Sequence, residues 1–141
     1  MKTLHFSLGP VQGFVAQARR TRDFWTGSFL LSWLTGQAIY EVIEAGGKVI
    51  FPDVENDELM AAIQLGMQPK EIPAVATLPN RFMAKAPADF NPERCRQAVL
   101  EAWKEIAAAV YKKYILPIED LGCGTREIWD RQIEGFWDII W

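Results

Sequence analysis

Arg19-Arg20-Thr21-Arg22 places three guanidiniums within four residues, and clustered guanidiniums bind phosphate with bidentate geometry. A few residues earlier, Gly9 and Gly13 flank a strand-to-helix turn. Uncovered backbone N–H groups at such a turn favour an anion. Ser7, Gln12 and Ser28 can add hydrogen bonds, and Arg81 a further charge. The chemistry on offer is recognition of phosphate. The residues alone also support plainer readings. The arginines suit a solvated helix face, Gly9-Pro10 a tight turn, and Gln12 a solvated first-turn residue.

Other chemistries are excluded by residue counts. One histidine, His5, leaves no His-pair metal site and no His-Asp nuclease motif. Two cysteines, Cys95 and Cys123, are too few for a disulfide scaffold or a four-ligand zinc site. The net charge of −3 argues against a strongly basic nucleic-acid binder. That charge is uneven: residues 1–51 carry +2 and residues 52–141 carry −5. Any anion contact is therefore local. The chain has 141 residues, half of them hydrophobic, which is enough for one domain with a real core. Phe24 to Tyr40 is uncharged but carries Thr26, Ser28, Ser32, Thr35 and Gln37. It is shorter than the roughly 20 apolar residues of a membrane span and reads as a buried helix. No signal peptide is visible, and the expectation is a soluble, cytoplasmic protein without a membrane partner.

These residues must be held by regular elements. Thr3 to Leu8 alternates, with Leu4, Phe6 and Leu8 on one face and Thr3, His5 and Ser7 on the other. Pro10 suits the first turn of a helix, followed at helical spacing by Val11, Phe14, Val15 and Ala18. The phase is lost near Arg20–Asp23, which predicts a kink there. A long helix then runs from Phe24 to Ala45 and ends at Gly46-Gly47. Its small residues Ser28, Ser32, Thr35 and Gly36 suit close packing or, less simply, a ligand. Lys48 to Phe51 reads as a strand and Asn56 to Leu65 as a short helix. Pro69 and Pro73 mark a loop, and a strand follows from Arg81. Asn91-Pro92-Glu93 starts a helix expected to reach Leu116, where Pro117 stops it. A short helix from Thr125 to Ile133 and a strand through Gly135–Trp141 close the chain. In that last strand Trp137, Ile139 and Trp141 share one side, and Asp138 and Ile140 the other.

The order strand, helix, strand, strand, helix, strand is the split βαβ, or ferredoxin-like, arrangement of the α+β class. It predicts a four-stranded antiparallel sheet with helices on one face and the other face open. Apolar residues on both sides of the last strand, and no polar tail after it, suggest a piece of a longer polypeptide.

The run Ser7 to Trp25 (Ser-Leu-Gly-Pro-Val-Gln-Gly-Phe-Val-Ala-Gln-Ala-Arg-Arg-Thr-Arg-Asp-Phe-Trp) is far longer than a chance motif. It resembles the first palm region of the large, cyclase-like subunit of type III-B (Cmr) CRISPR effector complexes. Gly27 to Leu34, Gly47 to Pro52, Ala76 to Phe82 and Glu134 to Asp138 resemble the same family in the expected order. The resemblance implies a role in an RNA-guided antiviral complex. Its large subunit carries two palm domains that make cyclic oligoadenylates from ATP with a divalent metal, magnesium or manganese. The second palm supplies a Gly-Gly-Asp-Asp motif absent from this sequence. Where an active palm carries acidic groups, this chain has Ser7-Leu8-Gly9 and Pro79-Asn80-Arg81.

The resemblance therefore implies a first palm that makes no phosphodiester bond by itself and holds no metal. It would contribute half of a composite ATP site through Ser7, Gly9, Gln12, Gly13, Ser28, Asn80 and Arg81. Arg19, Arg20 and Arg22 would meet an anion, a neighbouring domain or another subunit. The implied partners are the rest of the large subunit, companion effector subunits and, indirectly, guide and target RNA. Two other readings stay open. One is a structural module that docks without binding nucleotide. The other is an RNA-recognition-type domain, which needs aromatic and basic groups in its first and third strands, where only Phe6 and Phe82 are available in a chain of negative net charge.

Overall fold

The computed structural model describes residues 1–66 and 73–141; the expected loop at Pro69 lies outside them. Four strands, β1 (Lys2–Gly9), β2 (Lys48–Phe51), β3 (Arg81–Ala86) and β4 (Asp138–Ile140), form one sheet. Their order is β2-β3-β1-β4 and every pairing is antiparallel. The helices are α1 (Gln12–Val15), α2 (Thr21–Glu44), α3 (Glu58–Leu65), α4 (Glu93–Val110) and α5 (Thr125–Glu134). This is the α+β, ferredoxin-like arrangement that the order of elements predicts.

Alternation in β1 sorts its residues as expected. Leu4, Phe6 and Leu8 are buried, joined by Phe82 and Ala84 of β3 beneath Leu34, Ala38, Ile39 and Val42 of α2 and Val99 of α4. Each fully buried Leu or Ile contributes about 1.5–3 kcal/mol by leaving water. Phe6 and Phe82 are opposite in register and stack with ring centroids 4.9 Å apart inside this core. Their burial counts against the RNA-recognition reading, because rings buried in the core cannot stack on bases.

Local chemistry explains the C-terminal end of α2, and tertiary packing its start. At its C-terminus the Gly46 N–H donates to the Ile43 carbonyl and the Gly47 N–H to the Val42 carbonyl, both at 2.9 Å. This paired closure places Gly46 at φ +78°, where a side chain is costly. The N-terminal end differs from expectation. The helix after Pro10 lasts one turn, the break falls at residues 16–20, and α2 begins at Thr21 rather than Phe24. The cause is tertiary. Phe14 is drawn into a cluster with Trp103 of α4 and Phe136 and Trp137 beside β4, at centroid distances of 6.1, 5.6 and 5.0 Å. The chain must turn after it to reach α2.

The small-residue stripe of α2 proves to be a packing surface. Ser32 bonds to the backbone of Leu78, Thr35 to the Leu31 carbonyl at 2.9 Å, and Gly36 admits Ile63 and Leu78. Pro117 does not stop the helical path. The α4 helix widens into a π-helical turn (Tyr111–Ile115) and continues as a 3₁₀ segment (Leu116–Leu121) with the proline in its first turn. Among the described residues no helix is long and apolar enough to cross a membrane.

Candidate functional site

The helices cover one face of the sheet, so side chains of the other parity remain open. Across β3, β1 and β4 the register puts Arg81 and Ile140 on either side of Ser7. One step along, Met83 stands between Phe51 of β2 and His5 of β1. A bulge between Val49 and Phe51 brings the Phe51 position opposite Met83. Together with Trp141 these residues line a groove of about 510 Å³. Phe51 and Trp141 are half exposed, at 51% and 48%.

The groove offers a few polar groups on an apolar floor, the usual make-up of a small-molecule site. Ser7 supplies a hydroxyl and Arg81 a guanidinium without a carboxylate partner among the described residues. Phe51 and Trp141 supply flat rings. Among the described residues no acidic side chain lines it, and no three His, Cys, Asp or Glu side chains converge into a set that could hold a divalent ion.

The other candidates from sequence are placed differently. Gly9 ends β1 opposite Asp138, adjoining the groove. Gln12 and Gly13 are exposed on α1, whose single turn carries little of the dipole of a long helix. Ser28 is half-buried on α2, in the helical layer, and does not line the groove. Asn80 is engaged in the fold: its Nδ2 donates to the Leu8 carbonyl at 3.0 Å, and the Leu8 N–H donates to the Asn80 carbonyl at 2.8 Å. Arg19, Arg20 and Arg22 are exposed around the start of α2. The structure thus brings Ser7 and Arg81 together and leaves Gln12, Gly13 and Ser28 apart from them.

Sequence reasoning did not select Phe51, Met83, Ile140 or Trp141 for this site. Parity on β1 already exposed His5 beside Ser7, and the same parity applied to β3 selects Met83. Trp141 departs from the expected alternation. It shares the groove with Ile140 because β4 ends at Ile140 and the pleat no longer constrains the next residue.

Residues 3–108 match the family described as CRISPR-associated protein Cmr2, N-terminal. The chain belongs to the Cmr2 family. It is also 32% identical over 114 residues to the CRISPR system Cmr subunit Cmr2 of Pyrococcus furiosus, covering 79% of this chain. That stretch is 13% of the relative, so the chain spans about an eighth of its length. The Cmr2 family match runs from β1 into α4 and includes Ser7, Arg81 and the arginine cluster. The α5 helix and β4 lie beyond it.

Proposed function

We propose that this domain is the N-terminal, non-catalytic palm of the large subunit of a type III-B CRISPR effector complex. In this reading it contributes half of a composite ATP site for cyclic oligoadenylate synthesis. The observation that carries the reading is Ser7 and Arg81 facing each other across β1 and β3 on the open sheet, between Phe51 and Trp141. ATP as substrate fits these groups. An aromatic face takes a purine ring, the guanidinium takes a phosphate, and the hydroxyl fixes orientation. No carboxylate cluster among the described residues fits the divalent metal, so in this reading its ligands and the bond-making step fall to the second palm. What Ser7 and Arg81 do is bind and orient. The partners are the remainder of the large subunit and other subunits of the complex.

Titration of ATP with magnesium into this chain, alone and mixed with the second palm region, tests the proposal. The expected result is binding in the mixture only, weakened roughly tenfold or more by Arg81→Ala through loss of a charged hydrogen bond. Absence of binding in both cases would leave a docking module, for which the exposed Phe51, Ile140 and Trp141 supply the apolar surface.

A further inference from the structure

Lys104, Ala107, Ala108 and Tyr111 recur at helical spacing along one side of α4 and the π-helical turn that follows it. Arg126, Trp129, Ile133 and Glu134 do the same on α5. Between the two rows lies a cleft of about 310 Å³, at the small end of the range for small-molecule sites. Two contacts fix its ends. The Trp103 Nε1 donates to the Ile133 carbonyl at 3.1 Å, and the rings of Tyr111 and Trp129 meet edge to face at 5.4 Å and 62°. The helices therefore run antiparallel, with Lys104 and Glu134 toward one end and Tyr111 and Trp129 toward the other. Two alanines leave the α4 wall low between them. The cleft shares no lining residue with the groove on the open sheet face.

Three groups here lack partners. Lys104 and Glu134 both line the cleft yet form no ion pair with any described residue. Tyr111 is only 4% exposed, and its hydroxyl makes no hydrogen bond among the described residues. Burial, with the Glu119 carboxylate nearby, raises the titration of this phenol and so keeps it a donor. Buried donors are almost always satisfied, and π-helical turns like the one that Tyr111 opens recur at functional sites. Arg126 covers the phenol: its guanidinium carbon lies 4.5 Å from the Tyr111 ring centroid, and it holds Asp130 at 3.0 Å. Being exposed, this arginine can swing off the ring and open the hydroxyl to a ligand.

We propose that the cleft between α4 and α5 binds a free aromatic amino acid whose ring carries a hydroxyl, the chemistry of tyrosine. Lys104 takes its carboxylate and Glu134 its ammonium. The ring lies over Ala107 and Ala108 toward Trp129, and its hydroxyl accepts from Tyr111. Opposite charges at one end select a zwitterionic head. A residue inside a peptide has neither charge and a terminal residue only one, so a free amino acid fits best. Phosphates would meet the carboxylates of Asp130 and Glu134.

Calorimetric titration of L-tyrosine into the full chain tests this. Three analogues each lack one group: tyramine the carboxylate, hydroxyphenylpropionate the ammonium, and L-phenylalanine the ring hydroxyl. Tyrosine should bind, the first two analogues about tenfold and phenylalanine about fivefold more weakly, through loss of one hydrogen bond each. Lys104→Gln should erase the preference over tyramine, and Glu134→Gln the preference over hydroxyphenylpropionate. Tyr111→Phe should erase the preference over phenylalanine and leave phenylalanine binding as it was, which mere loosening of the cleft would not do. Ala108→Leu, at an exposed helix position that suits leucine, should fill the cleft and abolish binding. No binding of tyrosine to the parent chain, equal affinity for all three analogues, or unchanged binding by Ala108→Leu would overturn the proposal. So would a preference for tyrosine over phenylalanine that persists in Tyr111→Phe.

Discussion

Ser32 and Leu78 are joined twice. The Ser32 hydroxyl donates to the Leu78 carbonyl and accepts from the Leu78 N–H, the latter at 3.1 Å, and both residues are buried. One side chain on α2 thereby satisfies both backbone groups of a residue just ahead of β3, 46 positions away. Ser32→Ala leaves both groups without a partner in a dry site. It should cost about 2–3 kcal/mol, read as a lower urea midpoint at unchanged slope. An unaltered midpoint would mean that the bonds add nothing net.

The turn after α2 makes a steric prediction. A Cβ on Gly47 would lie 2.8 Å from the Val42 carbonyl oxygen and 2.9 Å from that of Lys85, both rigid backbone. Gly47→Ala should therefore lose about 1–3 kcal/mol, since β2 and β3 must separate to admit the methyl group. Gly46→Ala meets open space and should lose about 1 kcal/mol from its left-handed backbone alone. Thermal unfolding of the two variants should rank them in that order.

The cysteines should differ in reactivity. Cys95 is buried against α2, where its thiol donates to the Ala38 carbonyl at 3.4 Å, while Cys123 is exposed. Burial, with a smaller push from Glu41, raises the Cys95 thiol from 9.0 to about 12. A disulfide reagent should label Cys123 quickly and Cys95 only on unfolding. Because the folded value is the higher one, the contribution of Cys95 to stability is intact below pH 9.0. It is lost as pH climbs toward about 12. Cys95→Ala should lack that alkaline decline, which paired denaturation curves at neutral and alkaline pH will show.

Trp103 ties the C-terminal helix to the core. Its Nε1 donates to the Ile133 carbonyl at 3.1 Å, and its ring meets that of Trp137 at 5.3 Å. Trp103→Phe should cost about 1 kcal/mol by removing the hydrogen bond. Trp103→Ala should cost about 3 kcal/mol or more by opening the cluster. Amide exchange should speed up first in α5.

Much of the fold was legible because β1, β3 and the body of α2 carry their periodicity in adjacent residues. Parity on β1 separated Leu4, Phe6 and Leu8 from His5 and Ser7, and the structure keeps that division. The failures share a physical cause, in that distant partners decide them. Phe14 ends α1 after one turn because Trp103 and Trp137 hold its ring. Beyond Val110 the helix widens where Tyr111 meets Trp129 and Arg126 of α5. In the groove, Ser7 was readable from parity on β1, while Arg81 came from the resemblance and its place beside Ser7 from the pairing of β1 with β3. Asn80 was not readable, since nothing nearby reveals that its amide clamps Leu8. Phe51 reaches the groove through a bulge, which leaves no mark in hydrophobic spacing.

Strand order also sets a timetable for synthesis. β1 leaves the ribosome first, yet its two neighbours are β3, beginning at Arg81, and β4, beginning at Asp138. Until Arg81–Ala86 emerges, β1, the longest strand of the sheet, has both edges unpaired and its apolar face uncovered except by α2. Such an edge invites pairing with other chains. The nascent N-terminal segment is accordingly where this domain most needs a chaperone, and the final three-residue strand is what closes its second edge.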